Sequence, residues 1–152
     1  MKVLDDYVGL YEIAAEAVKN SYSPYSNFKV GAAIMTETGE IFTGVNVENA
    51  SYGACICAER TAACKAVSEG FRNFRAIAIA GCTGGKEAEE KPGKYEKAWP
   101  CGICRQFLFE FSKDMDVITG DSEDDLECIK LSELLINGFT LDSRKNNTTE
   151  GK

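Results

Sequence analysis

The run from Phe74 to Ala80 constrains this chain most, because it is an almost continuous apolar segment of strand length. Such a strand sits inside a sheet that is buried on both faces. The flanking sequence is helical on either side. Ala58 to Glu69 is Ala-rich and followed by Gly70, the mark of a helix with a C-terminal cap, and Pro100 introduces a second helix from Cys101 to about Lys113. Upstream, Leu4, Val8, Tyr11, Ala15 and Val18 recur at helical spacing, which predicts an amphipathic first helix over Val3 to Asn20. Phe28 to Thr36 and Glu40 to Val47 flank a Glu37-Thr38-Gly39 turn and form an antiparallel hairpin. Downstream, Met115 to Thr119 is a strand, and the Asp121 to Asp125 linker is too short for a crossover, so Leu126 to Leu131 returns antiparallel. Where helices separate strands, parallel pairing through crossovers is expected. Gly81 to Trp99 is expected to be an exposed loop, Ser132 to Asn137 a short helix, and 143–152 a disordered polar tail behind a single domain over 1–142.

Composition then removes whole classes of function. The sequence contains no histidine, so a metal site must use Cys, Asp or Glu, and Ser-His-Asp or Cys-His catalysis is excluded within one chain. Seven cysteines, at 55, 57, 64, 82, 101, 104 and 128, form an odd set in a sequence without an export signal, which points to reduced thiols in a cytoplasmic setting. No stretch is long and apolar enough to cross a membrane. A net charge of −7 without a basic stripe works against a nucleic-acid partner, leaving a small molecule as the expected ligand.

The chemistry is concentrated at two helix starts. Cys57-Ala58-Glu59 opens one and Pro100-Cys101-Gly102-Ile103-Cys104 the other, so three thiolates can face one point where both helix N-termini lend partial positive charge. That set suits Zn²⁺, one per chain, with a fourth position left for water. Glu59 stands two residues beyond a ligand, placed to act as general base and then general acid. Three thiolates leave the centre negative, and Arg60 is the natural counter-charge behind the sulfurs.

Taken together, Cys57-Ala58-Glu59-Arg60-Thr61-Ala62 and Pro100-Cys101-Gly102-Ile103-Cys104-Arg105-Gln106 resemble the two zinc motifs of the cytidine deaminase family. The resemblance extends from Tyr25-Ser26-Asn27-Phe28-Lys29-Val30-Gly31 through Asn46-Val47-Glu48-Asn49-Ala50 to Phe139. It implies a three-layer α/β/α fold with a mixed five-stranded sheet, antiparallel in its first hairpin and at its last strand. The implied reaction is hydrolysis of cytidine and 2′-deoxycytidine to uridine and 2′-deoxyuridine in pyrimidine salvage. Asn46 and Glu48 would then bond the ribose 3′-hydroxyl, Phe28 would pack on the base, and the Ala58 N–H would meet the base carbonyl. The backbone carbonyl of Trp99 would accept the leaving amine. The family's small-chain members are homotetramers with shared sites, so Tyr52 and Phe139 would serve a neighbour's pocket. A carboxylate at Glu48 repels a ribose phosphate, which favours a nucleoside over a nucleotide.

Four rival assignments stand beside this one. Cys55 with Cys57, Cys101 and Cys104 would make a closed structural zinc site. Cys101 and Cys104 alone would make a thioredoxin-like pair, although a long loop replaces the strand expected before it. A related aminohydrolase would act on a cytosine nucleoside antibiotic of the blasticidin S kind. A metal-stabilised binding module would carry no activity.

Overall fold

The computed structural model describes residues 6–84 and 94–141. Within them the elements are α1 (Val8–Ala17), a 3-10 turn (Val18–Asn20), β1 (Phe28–Thr36), β2 (Ile41–Val45), a second 3-10 turn (Tyr52–Ala54), α2 (Ala58–Ser68), β3 (Phe74–Thr83), α3 (Gly102–Phe109), β4 (Asp116–Gly120), β5 (Leu126–Lys130) and α4 (Leu131–Leu134). The strands form one sheet in the order β2-β1-β3-β4-β5. β1 is antiparallel to β2 and to β3, β3 is parallel to β4, and β5 returns antiparallel to β4.

Parallel pairing across a helix, expected at both crossovers, is found only at the second. β1 already occupies the place beside β2, so α2 carries the chain past it and β3 lands antiparallel on β1. Side chains alternate across each strand, so the sheet feeds two cores. On one face Ala32, Ile34, Ile77, Ile79 and Val117 pack with Ala58, Ala62, Ala66 and Leu108 from α2 and α3. On the other, Ala33, Ala76, Ala78, Ala80 and Ile118 receive Tyr7, Leu10, Tyr11, Ala14 and Val18. This is the expected α/β/α layering, and burial of each large aliphatic side chain contributes about 1.5–3 kcal/mol.

Several boundaries move. β3 runs on to Thr83 because β1 begins at Phe28 and the two pair to their ends, so Gly81 to Thr83 belong to the sheet and not to the loop expected there. Glu96 adds a bridge to Gly81, donating to its carbonyl at 2.7 Å and accepting from its N–H at 3.2 Å. β2 is shorter than Glu40 to Val47, since the Asn46 side chain bonds across to β1 and Val47 turns to pair with Ile56. α3 starts at Gly102 and stops at Phe109, short of Lys113, and the Ser112 hydroxyl accepts from Phe74 N–H at 2.8 Å. Leu131 begins α4 instead of ending β5, and α4 ends at Leu134, short of Asn137, whose φ is +57°. α1 is shorter than Val3 to Asn20, since Asp6 and Tyr7 form a turn ahead of Val8 and the helix tightens to a 3-10 turn after Ala17. Residues 3–5, the middle of the loop at 85–93 and the tail lie outside the described residues. No helix among the described residues is long and apolar enough to cross a membrane.

Candidate metal centre

α2 and α3 begin alike, each with a cysteine in extended conformation just ahead of the first turn. Cys57 has φ −75° and ψ 155°, Cys101 has φ −65° and ψ 167°, and neither thiol caps its own helix. Both sulfurs therefore remain available beside a helix N-terminus, where unpaired N–H groups favour a thiolate. Cys104 lies one turn along α3 from Cys101, on the same side and fully buried. The three Sγ atoms lie within 4.8 Å of one another, and Cys57 and Cys101 are 3.7 Å apart. Tetrahedral zinc with Zn–S bonds of about 2.3 Å sets its sulfurs about 3.8 Å apart. The donor set thus fits a zinc ion held by Cys57, Cys101 and Cys104.

Cys55 does not join them. Its Sγ accepts from Asn49 N–H at 3.2 Å and donates to Asn49 C=O at 3.6 Å, so it closes a local turn. All seven cysteines are free thiols. The closed four-cysteine centre is therefore not assembled, because Cys55 is spent on the loop before α2.

Glu59 and Arg60 meet the sulfurs from α2. Glu59 is 4% exposed, and Cys104 Sγ donates to its Oε2 at 3.7 Å. Burial pushes the Glu59 carboxyl up to about 7, so it can carry a proton near neutrality. Arg60 Nη2 lies 3.8 Å from Cys57 Sγ and 3.5 Å from the Cys55 carbonyl, while its buried Nε has no hydrogen-bond partner among the described residues. Cys57 is held down at about 5, first by the bond it accepts from Cys104 and then by Arg60 and Cys101. Cys104 is correspondingly raised, by that same bond and by burial. Arg60 thus brings a positive charge beside the Cys57 sulfur.

The expected substrate residues lie on several elements: Phe28 on β1, Asn46 and Glu48 just after β2, Tyr52 in the second 3-10 turn, Ala58 on α2 and Phe139 beyond α4. Ala58 is the first residue of α2, and its N–H has no partner within the helix. Phe28 opens β1 and packs over Gly81, where a Cβ would stand 2.7 Å from its ring. Asn46 is already committed: its Oδ1 accepts from Val30 N–H at 2.9 Å and from the Ser21 hydroxyl, and Nδ2 donates to Phe28 C=O at 2.8 Å. One amide hydrogen remains. Glu48 Oε1 accepts from Tyr25 N–H at 2.9 Å and Ser26 N–H at 3.0 Å, and the Ser26 bonds hold its carboxyl below the ordinary range. Glu48 lines a cavity of about 320 Å³ together with Tyr25, Ser26, Tyr52 and Cys55. Tyr52, 73% exposed, meets Tyr25 edge to face at 5.8 Å. Phe139 is 67% exposed, and Gln106 brackets its backbone by accepting from its N–H at 3.1 Å and donating to its C=O at 2.8 Å.

Tyr25 and Ser26 are lining residues that sequence alone leaves without a role, although both sit in the quoted Tyr25 to Gly31 segment. A larger cleft of about 540 Å³ lies elsewhere, against Phe74, Arg75 and Asp116 at the starts of β3 and β4. No thiol lines it, and the smaller cavity takes only Cys55 from the loop before α2, not the three converging sulfurs.

Residues 5–120 match the family model for the cytidine and deoxycytidylate deaminase zinc-binding region. The chain is 42% identical over 132 residues to the cytidine deaminase of Halalkalibacterium halodurans, covering 86% of this chain and 92% of that protein. It is 48% identical over 111 residues to a probable cytidine deaminase of Dictyostelium discoideum, covering 70% and 68%. The crystal structure of cytidine deaminase from Burkholderia pseudomallei superposes with a TM-score of 0.74 at 42% identity, covering 86% of this chain and 97% of that one. A blasticidin-S deaminase of Bacillus cereus is more distant, 32% identical over 109 residues, covering 72% and 75%.

Proposed function

Since the chain belongs to the cytidine and deoxycytidylate deaminase family, we propose that it hydrolyses cytidine and 2′-deoxycytidine to uridine and 2′-deoxyuridine with release of ammonia. It is a zinc-dependent deaminase, with the metal held by Cys57, Cys101 and Cys104. Zinc bound there supplies a water acidic enough to act as nucleophile near pH 7. The observation that carries the proposal is the buried Glu59 carboxyl beside the three converging sulfurs.

Glu59 takes the proton from the water attacking C4 and delivers it to N3 of the ring. It then takes the remaining proton from the new C4 hydroxyl and passes it to the amino group, so that the C4 carbonyl forms as the C4–N bond breaks and ammonia leaves. A carboxyl titrating at about 7 suits both directions of transfer. The Ala58 N–H holds the base carbonyl, Phe28 covers the ring, and the Trp99 carbonyl receives the departing amine. Glu48, oriented by the Tyr25 and Ser26 N–H groups, takes the sugar hydroxyl, and Asn46 contributes its amide while holding β1 in place. The Glu48 carboxylate keeps phosphorylated sugars out. The direct β4 to β5 hairpin supports a free nucleoside over a polynucleotide, since polynucleotide deaminases place a helix between the corresponding strands.

The chain acts as a homotetramer in pyrimidine salvage in the cytoplasm, with Tyr52 and Phe139 serving neighbouring sites and the catalytic domain ending near residue 142. Support comes from the exposure of Tyr52, Ile136, Phe139 and Leu141, apolar surface that a partner chain would cover. Ammonia release from cytidine, deoxycytidine and blasticidin S, measured with zinc quantified in wild type and Glu59→Gln, tests the reaction. A zinc-loaded wild type active on cytidine, with an inactive zinc-loaded Glu59→Gln, is expected; turnover of blasticidin S alone transfers the assignment to the antibiotic.

A further inference from the structure

Thr119 is a buried hydroxyl in the middle of the sheet, in a strand whose Val117 and Ile118 are wholly apolar and also fully buried. Valine would fill the same space at that β-position. A hydroxyl there must have partners, and it has two of different kinds. It donates to the Ile79 carbonyl of β3 at 2.8 Å and accepts from the Ala98 N–H at 2.9 Å. The first bond lies within the sheet. The second reaches the segment that leads to Cys101.

That segment is held from several sides. Asp121 Oδ1, just beyond β4, accepts from Lys97 N–H at 2.9 Å, and Glu96 pairs with Gly81 at the end of β3. Past Trp99, Arg105 Nε donates to the Pro100 carbonyl at 2.7 Å. Trp99 therefore lies between a pin from the sheet at Ala98 and a pin from α3 at Pro100, and Cys101 follows the second pin directly. The position of an exposed thiol at the start of a helix is set by the backbone that delivers it, here fixed by strand residues remote in sequence.

We propose that Thr119 is a positioning residue of the zinc centre, whose hydroxyl sets the Ala98-Trp99-Pro100 backbone and through it the Cys101 sulfur and the Trp99 carbonyl. The role of that carbonyl rests on the deaminase assignment above, while the placement of Cys101 does not. Residues behind metal ligands change affinity by about 10–100-fold when replaced. Thr119→Val keeps the shape and removes the hydroxyl. It should weaken zinc binding by about tenfold, read by competition with a chromophoric zinc chelator. In zinc-saturated enzyme kcat for cytidine should fall by about tenfold with KM within about threefold, the signature of a contact used in the transition state. Thr119→Ser should restore both quantities.

A folded Thr119→Val with wild-type zinc affinity and kcat overturns the proposal, even if its melting temperature drops, because the hydroxyl then serves the sheet alone. Failure of Thr119→Ser to restore what Thr119→Val loses overturns it too. If Thr119→Val does not fold, Asp121→Ala, on the surface, decides through the same titration: weaker zinc binding supports the pinned segment and unchanged binding removes it. Zinc-loaded wild type that leaves cytidine untouched would end the cytidine assignment, and the zinc titration would still judge Thr119.

Discussion

Residues in and around the site differ in what else they hold up. Glu59 and Arg60 act on the sulfurs from one helix turn, so replacing them alters chemistry more than fold. Arg60→Gln removes the charge beside Cys57 and should lower zinc affinity by about tenfold, measured by chelator competition. Cys55→Ala should leave one zinc per chain, because that sulfur binds the Asn49 backbone and not the centre; metal analysis of the purified variant checks it. Asn46 is different. Its amide ties Val30, Ser21 and Phe28 together, so Asn46→Ala leaves partly buried backbone groups unpaired and should destabilise the fold by about 1–3 kcal/mol in urea unfolding, whatever it does to sugar binding. The sequence points to Asn46 only through its family motif; that the side chain braces β1 shows only once the two strands are paired.

At the scale of elements, the position of α2 decides the site, and a missing side chain decides the position of α2. Gly44 in β2 lies under the first turns of this helix, and a Cβ there would run into the Ala58 carbonyl and the Ala62 N–H. Both obstacles are backbone, so the helix itself must move. Gly44→Ala should cost about 1–3 kcal/mol and weaken zinc binding as well, since Cys57 and Glu59 travel with the helix. Gly53→Ala, where a Cβ meets nothing, is the control that should leave both unchanged. Helix existence was legible from the Ala-rich run ending at Gly70, yet its close approach was not. Glycine in a strand marks a near neighbour without saying which, and only the packed sheet identifies it as α2.

Across the whole molecule the metal joins parts of the chain far apart, Cys57 and Cys101 being 44 positions apart in sequence. A ligand that binds only the folded state stabilises it by about 2.7 kcal/mol at a concentration a hundred times its dissociation constant. Chelation should therefore lower the melting temperature, and added zinc should restore it. Proton linkage follows from the two thiols. Cys57 titrates at about 5 and is already a thiolate at pH 7, whereas Cys104 is raised above its ordinary value and still carries its proton there. Zinc must displace that proton, so loading at pH 7 should acidify a weakly buffered solution and affinity should rise with pH. Isothermal titration in buffers of different ionisation enthalpy measures the release; equal heats in every buffer would contradict it. From sequence alone came the three converging thiols and the mixed α/β sheet, because these depend on local residue patterns: thiols at two helix starts, a period-two hairpin, a linker too short to cross over. The family came from the resemblance of the two cysteine motifs. Tertiary structure alone decided that β3 pairs with β1, that Cys55 is spent on its loop, that Asn46 braces a strand and that Thr119 reaches Ala98. Those outcomes depend on which strand already occupies a neighbour's edge and which buried donor needs an acceptor, and neither is set by residues adjacent in the chain.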